Sequence, residues 1–363
     1  MEWDVKMKIV FVSQPLSTGG AERVVAALAN RFSELGHEVK IFIVANGDEN
    51  TYFTRDEVEL IYIKKPKNPM MDLVYRAYKI RKYLNAYKPD VVLPFTTQKN
   101  VSVLLATLLS KHKVIISERN NPYKDPTNKG LRILRKLLYW TAEGFVFQTE
   151  DAKCFFSESI QKRSCIIANP INESIPDLWN GEREKRIVMV NRLTPQKNIP
   201  MAIDAWKAIS QDWPEYRMEI YGRGSLEEEL KAYTRQCRID NKIEFKGFCA
   251  DVTKQIRNAE IYLMTSDYEG MSNSLMEALA MGLVCVSTDH PTGGARALIS
   301  HQENGMLFPV GDTDACIRAL KEVLSSKELR EKISRNAVRI REKQSIETIA
   351  EHWLSYINSI KET

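Results

Sequence analysis

The chain has 363 residues, 27% of them charged and 44% hydrophobic. At roughly 150 residues per domain this predicts two globular domains, and it excludes a disordered tail, a coiled coil and a disulfide miniprotein. The net charge of +5 is unevenly spread: residues 1–176 hold 26 Lys+Arg against 19 Asp+Glu, residues 177–363 hold 26 against 28, and Lys64 to Lys136 holds 17 against 4. Six cysteines (Cys154, Cys165, Cys237, Cys249, Cys285, Cys316) form no C-x-x-C pair and lack His at zinc-finger spacing. They read as reduced thiols of a cytosolic protein. Met1 to Lys8 is charged and does not resemble a signal peptide. No run approaches the roughly 20 apolar residues of a spanning helix, so any membrane contact is expected to be peripheral.

In chain order, Lys8–Ser13 is a β-branched run that predicts a buried parallel strand. A glycine turn (Pro15 to Gly20) leads into a helix over Ala21–Leu35, which Gly36 stops, and Val39–Val44 is the next strand. The alternation continues with strand Val58–Ile63, helix Met71–Tyr87, strand Val91–Pro94, helix Asn100–Ser110, strand Lys113–Ser117, helix Leu131–Thr141 and strand Gly144–Gln148. The polar stretch Asn172–Glu184, with Pro176 and Gly181, is expected to be a linker. The pattern then restarts: strand Arg186–Val190, helix Ile199–Gln211, strand Arg217–Tyr221, helix Ser225–Cys237, and strands at Ile243–Phe245, Ile261–Thr265, Val284–Ser287 and Gly305–Phe308. A last helix, Ile346–Ile360, carries Ile349, Trp353, Tyr356 and Ile360 on one face. The expectation is an α/β chain with two Rossmann-like halves in tandem.

Three loops carry candidate chemistry. Ser17 to Arg23, with Gly19 and Gly20, lets backbone approach an anion at a helix start, or is simply a tight connection. It lacks the third glycine of a dinucleotide fingerprint, and no acid ends the second strand before the Asn46-Gly47 turn. Arg192 and Lys197 follow a strand in a turn, where open sheets bind ligands; they suit a diphosphate, or are two solvated cations. After strand Ile261–Thr265 come Glu269, then Ser272, Asn273 and Ser274 at a helix start, then Glu277 inside the helix. Helix N–H groups there would hold phosphate, while the carboxylates would accept from sugar or ribose hydroxyls. The plainer alternative is two acids favoured by the helix dipole.

Together these residues resemble family 4 retaining glycosyltransferases of GT-B architecture, in the branch that builds bacterial surface polysaccharides and lipid-linked oligosaccharides. Glu269-Gly270…Asn273…Glu277-Ala278…Gly282 is similar to that family's Glu-x7-Glu signature. Arg192…Lys197 is similar to its Arg/Lys pair, Gly19-Gly20 to its N-terminal glycine loop, Gly222-x-Gly224 to its mid-domain glycine turn, and Asp289…Gly293-Gly294 to its Asp…Gly-Gly loop. The likeness runs from residue 8 to about residue 310 in the family's order.

The resemblance implies two Rossmann-like domains facing across a cleft. An acceptor-side domain would span 1–176, with the 345–363 helix packing back on it, and a donor domain 182–344. Arg192 and Lys197 would neutralise the donor diphosphate, helped by backbone N–H groups of Asn273, Ser274 and Leu275. Glu277 would accept from ribose hydroxyls and Glu269 from the donor sugar. Gly19, Gly20 and Gly222 would lie against the donor, with the base near Phe248. Retention would proceed by same-face attack, with double displacement by a carboxylate as the competing scheme.

Two departures stand out. Where many relatives have His after a late N-terminal strand, this chain has Ser117-Glu118-Arg119-Asn120, which resembles the Ser-Glu-Arg-Asn variant of some bacterial enzymes that build surface polysaccharides and lipid-linked oligosaccharides, and His112 precedes the strand. Glu118, Arg119 or Asn120 is expected to face the sugar or acceptor. The acid often found after the Gly-Gly loop is Ala297 here. Asp312-Thr-Asp314 spells D-x-D but opens a helix and reads as an N-cap, so no metal or other cofactor is expected.

In the basic segment, Leu131, Leu134 and Leu138 share one helix face and Lys129, Arg132 and Lys136 another, with Tyr139 and Trp140 suited to an interface. Residues 75–88 add five cations among tyrosines. These stretches are expected either to lie on an anionic membrane surface or to be ordinary domain helices; no nucleic-acid motif is present. The expected function is transfer of a hexosyl or N-acetylhexosaminyl group from a nucleotide sugar, a UDP-sugar in the first instance, to a hydroxyl of a lipid-linked glycan at the cytoplasmic face of the plasma membrane. The alternatives are a non-catalytic nucleotide-sugar-binding scaffold of the same fold, or a GT-B nucleotide-sugar epimerase.

Overall fold

The computed structural model describes residues 6–17, 19–45, 52–64, 66 and 72–361. Thr18, the Asn46-Gly47 turn, Met71 and the last two residues, each part of an expectation above, lie outside them. The chain folds as two compact units, Met1–Pro170 with Ile346–Thr363, and Ile171–Ser345.

Unit 1 contains β1 (Lys8–Ser13), α1 (Gly20–Glu34), β2 (Glu38–Val44), β3 (Glu59–Ile63), α2 (Asp72–Tyr87), β4 (Val91–Pro94), α3 (Thr97–Thr107), β5 (Ile115–Ser117), α4 (Lys129–Leu138), β6 (Gly144–Phe147), α5 (Glu150–Cys154), α6 (Glu158–Lys162) and β7 (Ser164–Ile166). Its strands pair in parallel, in the orders β3-β2-β1-β4 and β5-β6-β7. Parallel bridges Val92–Val114 and Phe95–Ser117 join the two runs. Strand periodicity of two divides the core. Ile9, Phe11, Ile41 and Ile43 face the cluster that also holds α1 residues, whereas Val10, Val12, Phe42 and Val44 face the cluster under α2, α3 and α4. Both faces are covered, so these strands read as unbroken apolar runs.

Unit 2 contains β8 (Glu184–Val190), α7 (Ile199–Ile209), β9 (Arg217–Tyr221), α8 (Glu227–Gln236), β10 (Ile243–Gly247), α9 (Val252–Ile256), β11 (Ala259–Met264), α10 (Asn273–Ala280), β12 (Val284–Thr288), β13 (Met306–Phe308), α11 (Thr313–Ser325), α12 (Lys327–Ala337) and α13 (Ile340–Lys343). The sheet order is β10-β9-β8-β11-β12-β13, all parallel. The chain winds outward from β8 to β10, then returns to β11 on the other side of β8. The carboxyl ends of β8 and β11 thus flank the point where strand order reverses, the usual ligand edge of such sheets.

The final helix, α14 (Ile346–Lys361), belongs to unit 1. Trp353 is fully buried and stacks on Phe95 with ring centroids 5.7 Å apart. Tyr356 donates from its hydroxyl to Arg163 O (2.5 Å) and accepts from Phe145 N (2.9 Å).

Several boundaries differ from expectation. The first crossing between units lies at Pro170–Ile171, not at 176. The polar stretch expected as a linker is tied into unit 2: Ile171 N donates to Gln344 O (2.8 Å), Arg341 reaches Pro176 O (2.6 Å), and Arg257 covers the Trp179 ring at 4.8 Å. α3 begins at Thr97, three residues before the expected Asn100, because Thr96 adopts φ 79° and breaks the chain out of β4 early. α4 begins at Lys129, where Asn128 Oδ1 caps Leu131 N at 3.0 Å. Sequence periodicity missed the short elements α5, α6, β7 and α13.

Candidate functional site

The strongest constellation forms where the loops after β8, β11 and β12 meet. Asn198 adopts φ 44° and donates from Nδ2 to Asp267 Oδ1 (2.9 Å). Thr265 Oγ1 donates to the carbonyls of Lys197 and Asn198 (3.0 Å each), and Asp267 N to Gln196 O (2.9 Å). These bonds lock the β8 loop to the end of β11. They also place the Lys197 ammonium on Glu269, to which it donates as a charge-assisted ion pair. Gln196 Nε2 adds bonds to Tyr268 O (2.7 Å) and Glu269 Oε2 (3.3 Å). The β12 loop closes the far side: Thr292, at φ 80°, donates from Oγ1 to Glu269 O (2.7 Å). A Cβ on Gly294 would fall 1.9 Å from Gly270 O, so only glycine allows this approach.

α10 starts beside this pair. Ser272 is its N-cap, accepting from Leu275 N at 3.4 Å. Among the backbone donors expected to face an anion, Leu275 is therefore already committed, and Asn273 and Ser274 form the rest of that first turn. Ser274 Oγ is fixed by Tyr262 OH at 2.8 Å. Glu277 lies one turn into α10 and is buried. Arg192, by contrast, is exposed and has no side-chain partner among the described residues. Gly222 has φ 134°, and a Cβ there would fall 1.8 Å from Asn191 O. The glycine turn is thus pressed onto the end of β8. Phe248, 56% exposed, lies beyond β10 with the Arg223 guanidinium 5.9 Å from its ring centroid.

Sequence reasoning assigned no role to three side chains at this edge. Asn191, Ser266 and His290 follow β8, β11 and β12, neighbouring strands, and each carries a buried polar atom without a partner. Burial holds the His290 imidazole below its ordinary pKa, against the opposing pull of Glu269. The signal was available only as polar residues directly after apolar strands.

In unit 1 the picture differs from expectation. Gly19 caps α1 at an ordinary φ of −88°, and a Cβ on it would strike the Glu22 carboxylate. Glu22 is buried at the helix start and accepts from Gln14 Nε2 at 3.0 Å. The first turn of α1 therefore carries its own negative charge beside Gly19 and the exposed Gly20. Glu118 turns inward instead of facing solvent: it accepts from Thr97 Oγ1 (3.1 Å), Asn100 Nδ2 (3.3 Å) and the Tyr139 hydroxyl. Burial raises its carboxyl pKa, opposed first by the Tyr139 hydrogen bond. The Arg119 guanidinium lies 4.6 Å from the Phe95 ring centroid and 5.5 Å from that of Trp353, bonds Asn169 Oδ1 (2.9 Å), and is pushed down to about 9 by burial. Of the three, only Glu118 is buried; Arg119 and Asn120 are half-buried, and Asn120 Oδ1 accepts from Asn121 N (2.8 Å). His112 bonds Asn85 Oδ1 (3.1 Å) ahead of β5, at the opposite edge of the sheet. Asp312 Oδ1 caps α11 by accepting from Ala315 N (2.8 Å).

Comparisons with known proteins agree with this architecture. Residues 18–174 match the family model for Glycosyltransferase Family 4, and residues 171–339 that for Glycosyl transferases group 1. A Campylobacter jejuni relative, GalNAc-alpha-(1->4)-GalNAc-alpha-(1->3)-diNAcBac-PP-undecaprenol alpha-1,4-N-acetyl-D-galactosaminyltransferase, is 28% identical over 98% of this chain and 99% of its own. A second from that organism, N-acetylgalactosamine-N,N'-diacetylbacillosaminyl-diphospho-undecaprenol 4-alpha-N-acetylgalactosaminyltransferase, is 28% identical over 90% and 93%. The solved structure of Anabaena Alr3699/HepE in complex with UDP-glucose superposes with a TM-score of 0.82 at 18% identity, covering 97% of this chain and 100% of that one. Two Rossmann-like units, both family models and these full-length relatives make the chain a member of the family 4-like glycosyltransferases of GT-B fold.

Proposed function

We infer that this glycosyltransferase is a retaining enzyme that moves a hexosyl or N-acetylhexosaminyl group from a UDP-sugar to a hydroxyl of a lipid-linked glycan. The observation that carries the reading is the edge of unit 2, where Lys197, Glu269, the α10 start and buried Glu277 converge at the switch point of the sheet. The names of the two Campylobacter relatives, which act on undecaprenol-linked sugars, support the acceptor class, and the UDP-glucose complex of the Anabaena protein supports the nucleotide.

In this reading Lys197 and Arg192 meet the diphosphate, and the Asn273–Ser274 turn adds helix N–H groups. Departure of the nucleotide leaves charge on its β-phosphate, which these fixed positive groups stabilise. No metal is needed for that role. Glu277 accepts from the ribose and Glu269 from the sugar, with Gly222 and Phe248 along the nucleotide. The acceptor hydroxyl attacks from the face the nucleotide leaves, its proton passing to the departing phosphate. Unit 1 is the acceptor side, and the protein works peripherally on the inner membrane face.

Incubation with a panel of UDP-, GDP- and ADP-sugars and a lipid-linked glycan acceptor, followed by mass spectrometry of the released nucleotide and NMR of the new glycosidic bond, tests this. Slow release of UDP with a product of unchanged anomeric configuration is expected. Inversion, or a preference for a GDP- or ADP-sugar, would overturn the corresponding part.

A further inference from the structure

α4 packs one of its two apolar faces in the core, as expected of an ordinary domain helix. The Leu131–Leu134–Leu138 face packs inward: Leu138 is buried, and Leu131 and Leu134 lie against the cluster beneath α2 and α3. A second apolar stripe faces solvent. Ile133, Leu137 and Trp140, spaced i, i+4, i+7, are 60%, 58% and 68% exposed. Ile133 and Leu137 form a stripe on α4, and Trp140 extends it from the 3-10 turn Tyr139–Thr141 that follows. Tyr139, expected at an interface, is instead buried on Glu118.

Beside the stripe run Lys129 and Lys136, both exposed. Arg132 is held at the helix start by the carbonyls of Pro126 (2.6 Å) and Lys124 (3.1 Å). No acidic residue lies between Asp125 and Glu143. A helix meant for water would place charged groups where Ile133, Leu137 and Trp140 stand. A face with an apolar stripe, a terminal tryptophan and lysines along one border matches the boundary between lipid headgroups and acyl chains.

We propose that the outward face of α4 and the turn after it seat on an anionic lipid surface, with Ile133, Leu137 and Trp140 entering the acyl boundary and Lys129 and Lys136 meeting the headgroups. This rests on the lipid-linked acceptor proposed above and names the contact that would bring unit 1 to it. The charge argues for lipid over a second copy of the chain, since two such faces would bring like charges together.

The test is flotation with vesicles of phosphatidylcholine alone and of equal parts phosphatidylcholine and phosphatidylglycerol. The wild-type chain is expected to float only with the mixed vesicles. Ile133→Ser/Leu137→Ser/Trp140→Ser is expected to lose at least about tenfold in partitioning. Lys129→Glu/Lys136→Glu is expected to lose about fivefold or more per lysine. Both sets lie on the surface, and donor hydrolysis in solution is expected to stay at wild-type level in each. Absence of wild-type binding, unchanged binding of the apolar variant, or a dimer that the apolar variant abolishes would overturn the proposal. If vesicle binding follows these expectations while no donor is hydrolysed, the membrane contact stands and the transferase roles fall.

Discussion

The Lys197–Glu269 pair makes a prediction that separates a donor site from a structural ion pair. Both side chains are nearly enclosed, retaining 10% and 12% exposure. A charge-assisted bond in such surroundings contributes about 1.5–3 kcal/mol. If Lys197 is to meet a diphosphate, the incoming phosphates must compete with the Glu269 carboxylate already on the ammonium. Glu269→Gln keeps the shape and removes the competing charge. UDP affinity should then rise about tenfold, the equivalent of roughly 1.4 kcal/mol, close to the low end of that range. Without nucleotide the same variant should unfold more easily, by about 2 kcal/mol, because it leaves a desolvated ammonium without its counter-charge. Sugar transfer should fall as the sugar-facing carboxylate is lost. Calorimetric titration with UDP, paired with thermal unfolding in the presence and absence of UDP, reads both effects. Unchanged or weaker UDP binding in Glu269→Gln would refute the partner exchange and leave the pair a structural one.

Gly222→Ala should lower the stability of unit 2 by roughly 2–4 kcal/mol and depress UDP binding, since its Cβ would enter the Asn191 carbonyl at a φ that side chains disfavour; wild-type unfolding and binding would count against the close approach. Trp353→Ala removes a fully buried ring stacked on Phe95 and should cost about 3–5 kcal/mol, read as a lower unfolding midpoint by near-ultraviolet circular dichroism. His37 and His290 are both held below the ordinary histidine pKa, chiefly by burial. The unfolded chain then binds more protons than the folded one as pH falls below about 6.5, so each histidine should remove up to about 1.4 kcal/mol per pH unit on acidification until its folded pKa is reached. Chemical denaturation at about pH 7 and about pH 5.5 checks this, and a flat profile that His290→Asn does not alter would contradict it.

The α/β alternation is written in the strands themselves. Runs such as Lys8–Ser13 and Ile261–Thr265 are apolar on both faces because helices cover both faces of each sheet. The carboxylates Glu269 and Glu277 could be placed from spacing alone, one in a loop and one a turn into a helix. Features set by tertiary packing could not. α4 carries two apolar stripes of equal periodicity, and only the core beneath α2 and α3 decides which turns inward. Glu118 resembles a site residue in sequence, yet Thr97, Asn100 and Tyr139 converge on it from distant positions and draw it into the core. Likewise, Lys197 sits on Glu269 because the loops after β8 and β12 turn at Asn198, a residue that tolerates the left-handed region, and at Thr292, a β-branched residue whose positive φ no residue preference announces. Short elements such as Ser164–Ile166 have too few residues to show a period.

Glu277, buried one turn into α10, is expected to be required for nucleotide-sugar chemistry. Mass spectrometry of UDP released from UDP-sugars by the wild-type chain and by Glu277→Ala, with circular dichroism to verify the fold, tests it most directly. Steady release by the wild type and loss of release by a folded Glu277→Ala are expected; wild-type turnover in that variant would remove Glu277 from the donor site.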